Sequence, residues 1–379
     1  MISIISCIKR KRKLFLSLFL LVIILVVLFF NITKIIPNSI AIRSNTGNIL
    51  TLNGKFYYCN NGKIINCDNS TILYDANQNI IAAASDKYIY ALEENTKILK
   101  IDKNGKLICV IDAPSDFEYN QNFQIFFIDN ILYIFNNDNK SNSLYMFDAN
   151  LKILNLDDLK KGSKNYIIQD QDYFIIENKT HYLITTEYNN KNNVYAVIKK
   201  DDGDCIFSNC DIKGLYNNNL IFMTSQYTLK LFKYNLTSNK ILESDFLGSD
   251  AIYTKSIKNY KNELVTQGMI SNKGNVEYSD QLYYHYKDII MIVNAESFIQ
   301  KNIYKTKTYE RIIFCNQNTV MTYYKGHYLT YDLNNWKVIR KQDADEIKNG
   351  GSYTFETCGD YIFVFDDDSG ELLNTININ

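Results

Sequence analysis

The chain has 379 residues, 46% of them hydrophobic and 22% charged, so it can bury a real core as one large domain or two ordinary ones. Its 41 basic and 41 acidic side chains are unevenly placed: Lys9, Arg10, Lys11, Arg12 and Lys13 stand together, and no Asp or Glu precedes Asp68. Without those five, 36 basic residues face 41 acidic ones, and a mildly acidic body excludes the basic footprint of a nucleic-acid partner.

The first predicted element is a membrane anchor. An apolar run begins at Leu14 and ends at Phe30, broken only by Ser17. At about 1.5 Å per residue it covers roughly 26 Å, short of a hydrocarbon core of about 30 Å. Ile32, Ile35 and Ile36 extend it while Lys34 snorkels, giving a transmembrane helix over residues 14–36. The basic cluster sets topology: residues 1–13 stay behind as a short cytoplasmic tail, and residues 37–379 form an extracytoplasmic domain. The lipid bilayer is therefore the first predicted partner. Ser39-Ile40-Ala41 loosely resembles a signal cleavage site, but the apolar run exceeds the usual signal core of about 7–15 residues and ends well before it. A buried core helix fits less well, because the segment is apolar all round.

Beyond the anchor the sequence reads as strands. Thirty Tyr and twenty-one Phe against one Trp suit pleated surfaces, although AT-rich codons enrich Tyr, Asn, Lys and Ile by themselves. Only Pro37 and Pro114 occur, which excludes a Pro-rich stalk. Short apolar runs such as Ile80-Ile81-Ala82-Ala83-Ala84, Tyr88-Ile89-Tyr90-Ala91-Leu92, Ile125-Phe126-Phe127-Ile128, Ile289-Ile290-Met291-Ile292-Val293 and Tyr361-Ile362-Phe363-Val364-Phe365 alternate with polar turn clusters. A motif recurs: an aromatic-apolar strand ends at Asp or Asn, a polar turn follows, and a Lys- or Glu-led strand resumes. It is seen around Asp148, Asn235, Asp332 and Asp366. Turn spacing of roughly 35–60 residues matches a four-stranded propeller blade. The expected fold is all-β, a β-propeller over residues 37–379, with seven blades favoured and eight as the alternative.

The segments from Tyr88 to Leu99 and from Tyr361 to Leu373 resemble the repeat of pyrroloquinoline-quinone-type (quinoprotein-like) propellers, an aromatic-Ala-Leu strand, a turn and a Lys-Leu strand. The resemblance implies the propeller shape. That family packs its blades with repeated Trp residues, whereas this chain has only Trp336, so quinone chemistry is not carried over. The stretch from Tyr278 to Tyr309, crowded with tyrosines, fits the repeat least and reads as a distorted blade or an insertion.

Candidate chemistry is sparse. Cys7 lies before the anchor; Cys59, Cys67, Cys109, Cys205, Cys210, Cys315 and Cys358 follow it, and Cys59 with Cys67 or Cys205 with Cys210 are the pairs able to bridge. His181, His285 and His327 are far apart. The acidic turns Asp366-Asp367-Asp368-Ser369-Gly370-Glu371 and Asp201-Asp202-Gly203-Asp204 lack the spacing of a calcium loop and read as solvated turns. No catalytic, metal or cofactor residue is assigned. The expected function is non-catalytic binding or scaffolding for a protein or cell-envelope glycan. The alternative is an envelope polysaccharide hydrolase or lyase with axial carboxylates.

Overall fold

The computed structural model describes residues 41–379 apart from 44–48, 95–96, 115–122, 139–140, 162, 169–170, 189–190, 202, 204, 209–211, 224–229, 246–250, 261–262, 272–285, 295, 298–299, 308–309 and 349. The anchor, with Leu14 and Phe30, and the topology-determining Lys9, Arg10, Lys11, Arg12 and Lys13 lie outside the described residues. Among the described residues no helix is long and apolar enough to cross a membrane. The helix Leu156–Lys160 is short, and strands make up the rest of the regular structure described.

The apolar runs fold as the sequence reading expects: Ile80–Ala84, Tyr88–Glu93, Phe123–Ile128, Tyr286–Asn294 and Tyr361–Asp366 are strands. The described strands form eight sheets, taken as sheets 1 to 8 in chain order from Ile49. Burial explains their composition. In sheet 2, Tyr88–Glu93 and Lys97–Asp102 each bury four consecutive residues, whereas the outermost strand, Leu107–Asp112, is largely exposed. A continuous apolar run is what a strand covered on both faces requires. Sheets 1–3 and 5–7 are four-stranded antiparallel meanders, and sheet 4 adds Lys164–Ile168 beside Gln171–Glu177. Sheet 8 contains Ser352–Cys358, Tyr361–Asp366 and Leu372–Asn377, joined by the distant strand Ala41–Arg43, which pairs in parallel with the first of them.

Each sheet packs on the next. Ile89 and Ala91 of sheet 2 meet Leu50 and Leu52 of sheet 1, and Leu92 and Ile98 meet Phe123 and Ile134 of sheet 3. Further apolar clusters join sheets 3 and 4, 4 and 5, 6 and 7, and 7 and 8. Between sheets 5 and 6, Lys233 Nζ donates to the Glu296 carbonyl. The last sheet then packs on the first. Tyr58, Phe363 and Phe365 form one buried cluster, and Phe56 lies 5.6 Å from Tyr361 and 5.3 Å from Phe363 between ring centroids. The Ile49 N–H donates to Glu356 Oε2 at 3.1 Å across the same seam. The succession of sheets is closed.

Two faces result. On the lower face lie the turns between third and fourth strands, where one Asx side chain accepts backbone N–H groups. Asp102 Oδ1 accepts from Asn104 and Lys106 at 2.8 and 2.9 Å, and Asp148 Oδ1 from Asn150 and Lys152 at the same distances. Asn66, Asn235, Asn294 and Asp332 repeat the arrangement. This is why the recurrent strand ends at Asp or Asn. The upper face carries the turns between second and third strands and the connections from sheet to sheet.

Candidate binding face

On the upper face, the Asn61-Gly62 turn joins Lys55–Asn60 to Lys63–Asn66, with φ of 47° and 78°. Both angles are left-handed, the requirement of a tight hairpin turn. Gly62 is also needed for space, since a Cβ there would lie 2.5 Å from the Gln78 carbonyl oxygen. The Gly62 carbonyl accepts the Ala76 N–H at 2.8 Å, which pins the connection between sheets 1 and 2 against this turn. Asn79 ties the same connection to the next sheet: its carbonyl accepts the Glu94 N–H at 3.0 Å and its Nδ2 donates to Glu94 Oε2 at 3.2 Å.

These contacts frame an open depression of about 600 Å³ lined by Asn61, Ala76, Asn77, Gln78, Asn79 and Glu94. Four side-chain amides offer both donors and acceptors, and the single carboxylate adds acceptors. Such a lining matches hydroxyl or amide groups, as on a sugar or a peptide backbone. It lacks the apolar walls of a drug-sized ligand site. A lone carboxylate gives no acid–base pair within the depression.

The sequence-derived candidates are placed elsewhere or inside the protein. His181 is fully buried between sheets 3 and 4, with Tyr133 Oη 2.6 Å and Asn178 Nδ2 2.8 Å from its Nε2. Burial lowers its pKa; nearby Asp129 opposes that shift and Lys200 adds to it. The folded state thus holds a neutral imidazole while the unfolded chain protonates near pH 6.5. Stability is fully present above that pH and falls as pH drops towards the lowered folded value, by up to about 1.4 kcal/mol per unit. Melting temperatures of the domain from pH 7.5 to 5 should show this loss, and His181→Gln should flatten it. An unchanged slope in the variant would assign the acid sensitivity to other groups.

His327 Nδ1 sits 2.8 Å from Asp343 Oδ1 as a surface pair, and His285 lies outside the described residues. The histidines described are therefore not gathered. Cys59 and Cys67 are unbridged thiols; burial pushes both up to about 12, with Asp68 and Cys358 adding to the shift at Cys67. Cys7 and Cys210 lie outside the described residues. The acidic turn of sheet 8 is satisfied by its own surroundings. Asp366 Oδ1 accepts from Asp368 and Ser369 N–H at 3.0 and 2.9 Å, and Ser352 and Thr354 hydroxyls donate to Asp367. The Ser369 N–H holds the Asp366 carboxyl below its ordinary value. In the other acidic turn, Asp202 and Asp204 lie outside the described residues. Among the described residues no group of three or more His, Cys, Asp or Glu is placed to hold a metal ion.

Sequence reasoning did not find the depression, because its lining comes from two turns and one inter-sheet connection. The signal available was the Asn- and Gln-rich composition of residues 76–79 beside the Asn-Gly turn.

No protein-family model matches the chain, and no curated protein matches it by sequence. Solved structures do match. The C-terminal WD40 domain of Sif2 is 11% identical with a TM-score of 0.50, covering 90% of this chain and 98% of that one. BamB from Moraxella catarrhalis is 9% identical with a TM-score of 0.48, over 88% and 96% of the two chains. The Dos1 propeller is 12% identical with a TM-score of 0.44, over 85% and 90%. Closed packing of successive four- and five-stranded sheets, together with the likeness to the WD40 domain, makes the fold of this chain a β-propeller.

Proposed function

We propose that the protein is a membrane-anchored, extracytoplasmic propeller acting as a non-catalytic binding or scaffolding domain for a protein or cell-envelope glycan. We take each of the eight sheets as one blade, with Ala41–Arg43 joining the last. The quinoprotein-like repeat of Tyr88 to Leu99 supports a blade of that type without its cofactor chemistry. The observation that carries the reading is the open depression on the upper face, whose amides converge from one hairpin turn and one inter-sheet connection held by a rigid scaffold.

Two measurements test it. A tag after Asn379 should be digested by protease added to intact cells while a tag before Lys9 survives; protection of the former overturns the exported topology. Within the depression, Asn77→Ala combined with Gln78→Ala removes two hydrogen-bonding side chains worth about 0.5–1.5 kcal/mol each. Partner capture in intact cells should weaken by about tenfold or more while the melting temperature stays unchanged. Unchanged capture would move the binding surface elsewhere. Loss of an envelope-polymer-degrading activity when carboxylates at the ring axis are replaced by amides would replace binding by the hydrolase or lyase reading.

A further inference from the structure

The route by which the chain enters the ring bears on what the depression meets. Ala41 lies opposite Ser352 in the parallel pairing of sheet 8. Ser352 stands at the level of the turn between Tyr361–Asp366 and Leu372–Asn377, because its carbonyl accepts the Asp367 N–H at 3.1 Å. That turn is on the upper face, as the closing seam demonstrates. Thr51 Oγ1, in the first strand of sheet 1, lies 3.3 Å from Cys358 Sγ, and Ile49 meets Glu356, so Ser352–Cys358 runs alongside a first strand. The same turn abuts the depression: a Cβ at Gly370 would come within 3.0 Å of Asn60 Oδ1, and Asn60 precedes Asn61 of the lining.

The junction with the preceding segment is therefore on the face, and next to the sheet, that carries the depression. If residues 14–36 span the bilayer, only residues 37–40 remain as connection, a reach of about 14 Å fully extended. The upper face is then held against the membrane rather than away from it. Among the described residues the lining contains no cation: Lys63, beside the Asn61-Gly62 turn, is paired with Asp75 at 3.8 Å, and Glu94 contributes negative charge. A phosphate-bearing headgroup meets repulsion there, whereas a neutral polyol satisfies amide donors and acceptors alike.

We infer that the depression faces the bilayer in which the chain is anchored and takes the neutral, hydroxyl-rich headgroup of a glycolipid. This deepens the binding reading above and rests on its anchor. The test uses the full chain in phosphatidylcholine vesicles containing a minor fraction of diglucosyl diacylglycerol. A photoreactive benzoylphenylalanine replaces Gln78 in one version and Asn104, on the lower face, in another. After illumination, the Gln78 position should give lipid adducts enriched in glycolipid over its share of the vesicle, and the Asn104 position should give none. Asn77→Ala should remove the enrichment while adducts persist. Adducts at Asn104 alone, or equally at both positions, overturn the orientation. Adducts at Gln78 that follow the vesicle composition overturn the glycolipid assignment. A carbonate wash separates these from failure of the anchor, in which case the protein leaves the vesicles altogether.

Discussion

A chain ending at Asp360 should show no cooperative unfolding transition, although only two strands of one sheet have been removed. The lost residues include Ile362, Phe363, Val364 and Phe365, which are 6% exposed or less, and Phe363 and Phe365 pack on Tyr58 of sheet 1. Burying one such side chain contributes about 1.5–3 kcal/mol. Four of them approach the entire stability of a typical domain, about 5–15 kcal/mol. The deletion also bares Phe56 and Tyr58, so the first sheet loses its cover together with the last. Urea titration of the domain from Ala41 onward, followed by circular dichroism, should give one transition for the intact ring and a shallow drift for the shortened one. Phe363→Ala supplies a graded version, with an expected loss of about 3–5 kcal/mol. A shortened chain that still unfolds cooperatively, near the original midpoint, would identify an open array whose ends are independent.

Much of this fold was readable because each blade writes the same short-range physics into sequence. Strands covered on both faces need unbroken apolar runs, and Tyr88–Glu93 and Tyr361–Asp366 are such runs. The Asp or Asn at strand ends was also visible, since an Asx side chain capping its own turn is a local event. What the pattern obscured was phase. The segments from Tyr88 to Leu99 and from Tyr361 to Leu373 cover hairpins of second and third strands, whereas those around Asp148, Asn235 and Asp332 cover third and fourth strands. Mixing the two kinds makes the spacing irregular and the count of units hard to read.

The tyrosine-rich stretch after Tyr278 illustrates the same limit. Within the stretch read as a distorted blade or an insertion, Tyr286–Asn294 and Gln300–Lys305 are paired strands of sheet 6. Tyr278, Tyr283, Tyr284 and Tyr309 lie outside the described residues. Contacts between sheets left no local signature at all. Lys100 Nζ reaches the Ala149 carbonyl of the next sheet at 2.8 Å, and Trp336 of sheet 7 stacks on Tyr304 of sheet 6 at 4.6 Å, pairings that only the packing of sheet on sheet brings about. The depression belongs with these, as a product of packing sheet 1 on sheet 2 rather than of any one turn.

Glu310→Ala should destabilise the domain by about 3–5 kcal/mol, among the largest effects of any single polar substitution here. Glu310 is only 2% exposed, yet it bears a carboxylate that burial alone makes costly. Three donors offset that cost: Tyr331 Oη and Thr322 Oγ1 donate to Oε1 at 2.6 and 2.7 Å, and the Lys307 N–H donates to Oε2 at 2.9 Å. The node ties the connection entering sheet 7 to its second and third strands. Burial, then the hydrogen bond to Glu310, raises the Tyr331 pKa, so the phenol stays a donor across the working range. Removing the carboxylate leaves two hydroxyls and one backbone N–H facing a cavity, each costing about 1–3 kcal/mol if water does not replace the acceptor. Glu310→Gln separates charge from geometry. Its Oε1 still accepts from Tyr331 and Thr322, but its amide nitrogen meets the Lys307 N–H donor to donor, so an intermediate loss is expected. Chemical denaturation of both variants, with a Tyr331→Phe partner for a double-mutant cycle, measures the coupling directly. Additive losses for Glu310→Ala and Tyr331→Phe would mean that the two groups do not stabilise each other and that burial of Glu310 serves something other than this node.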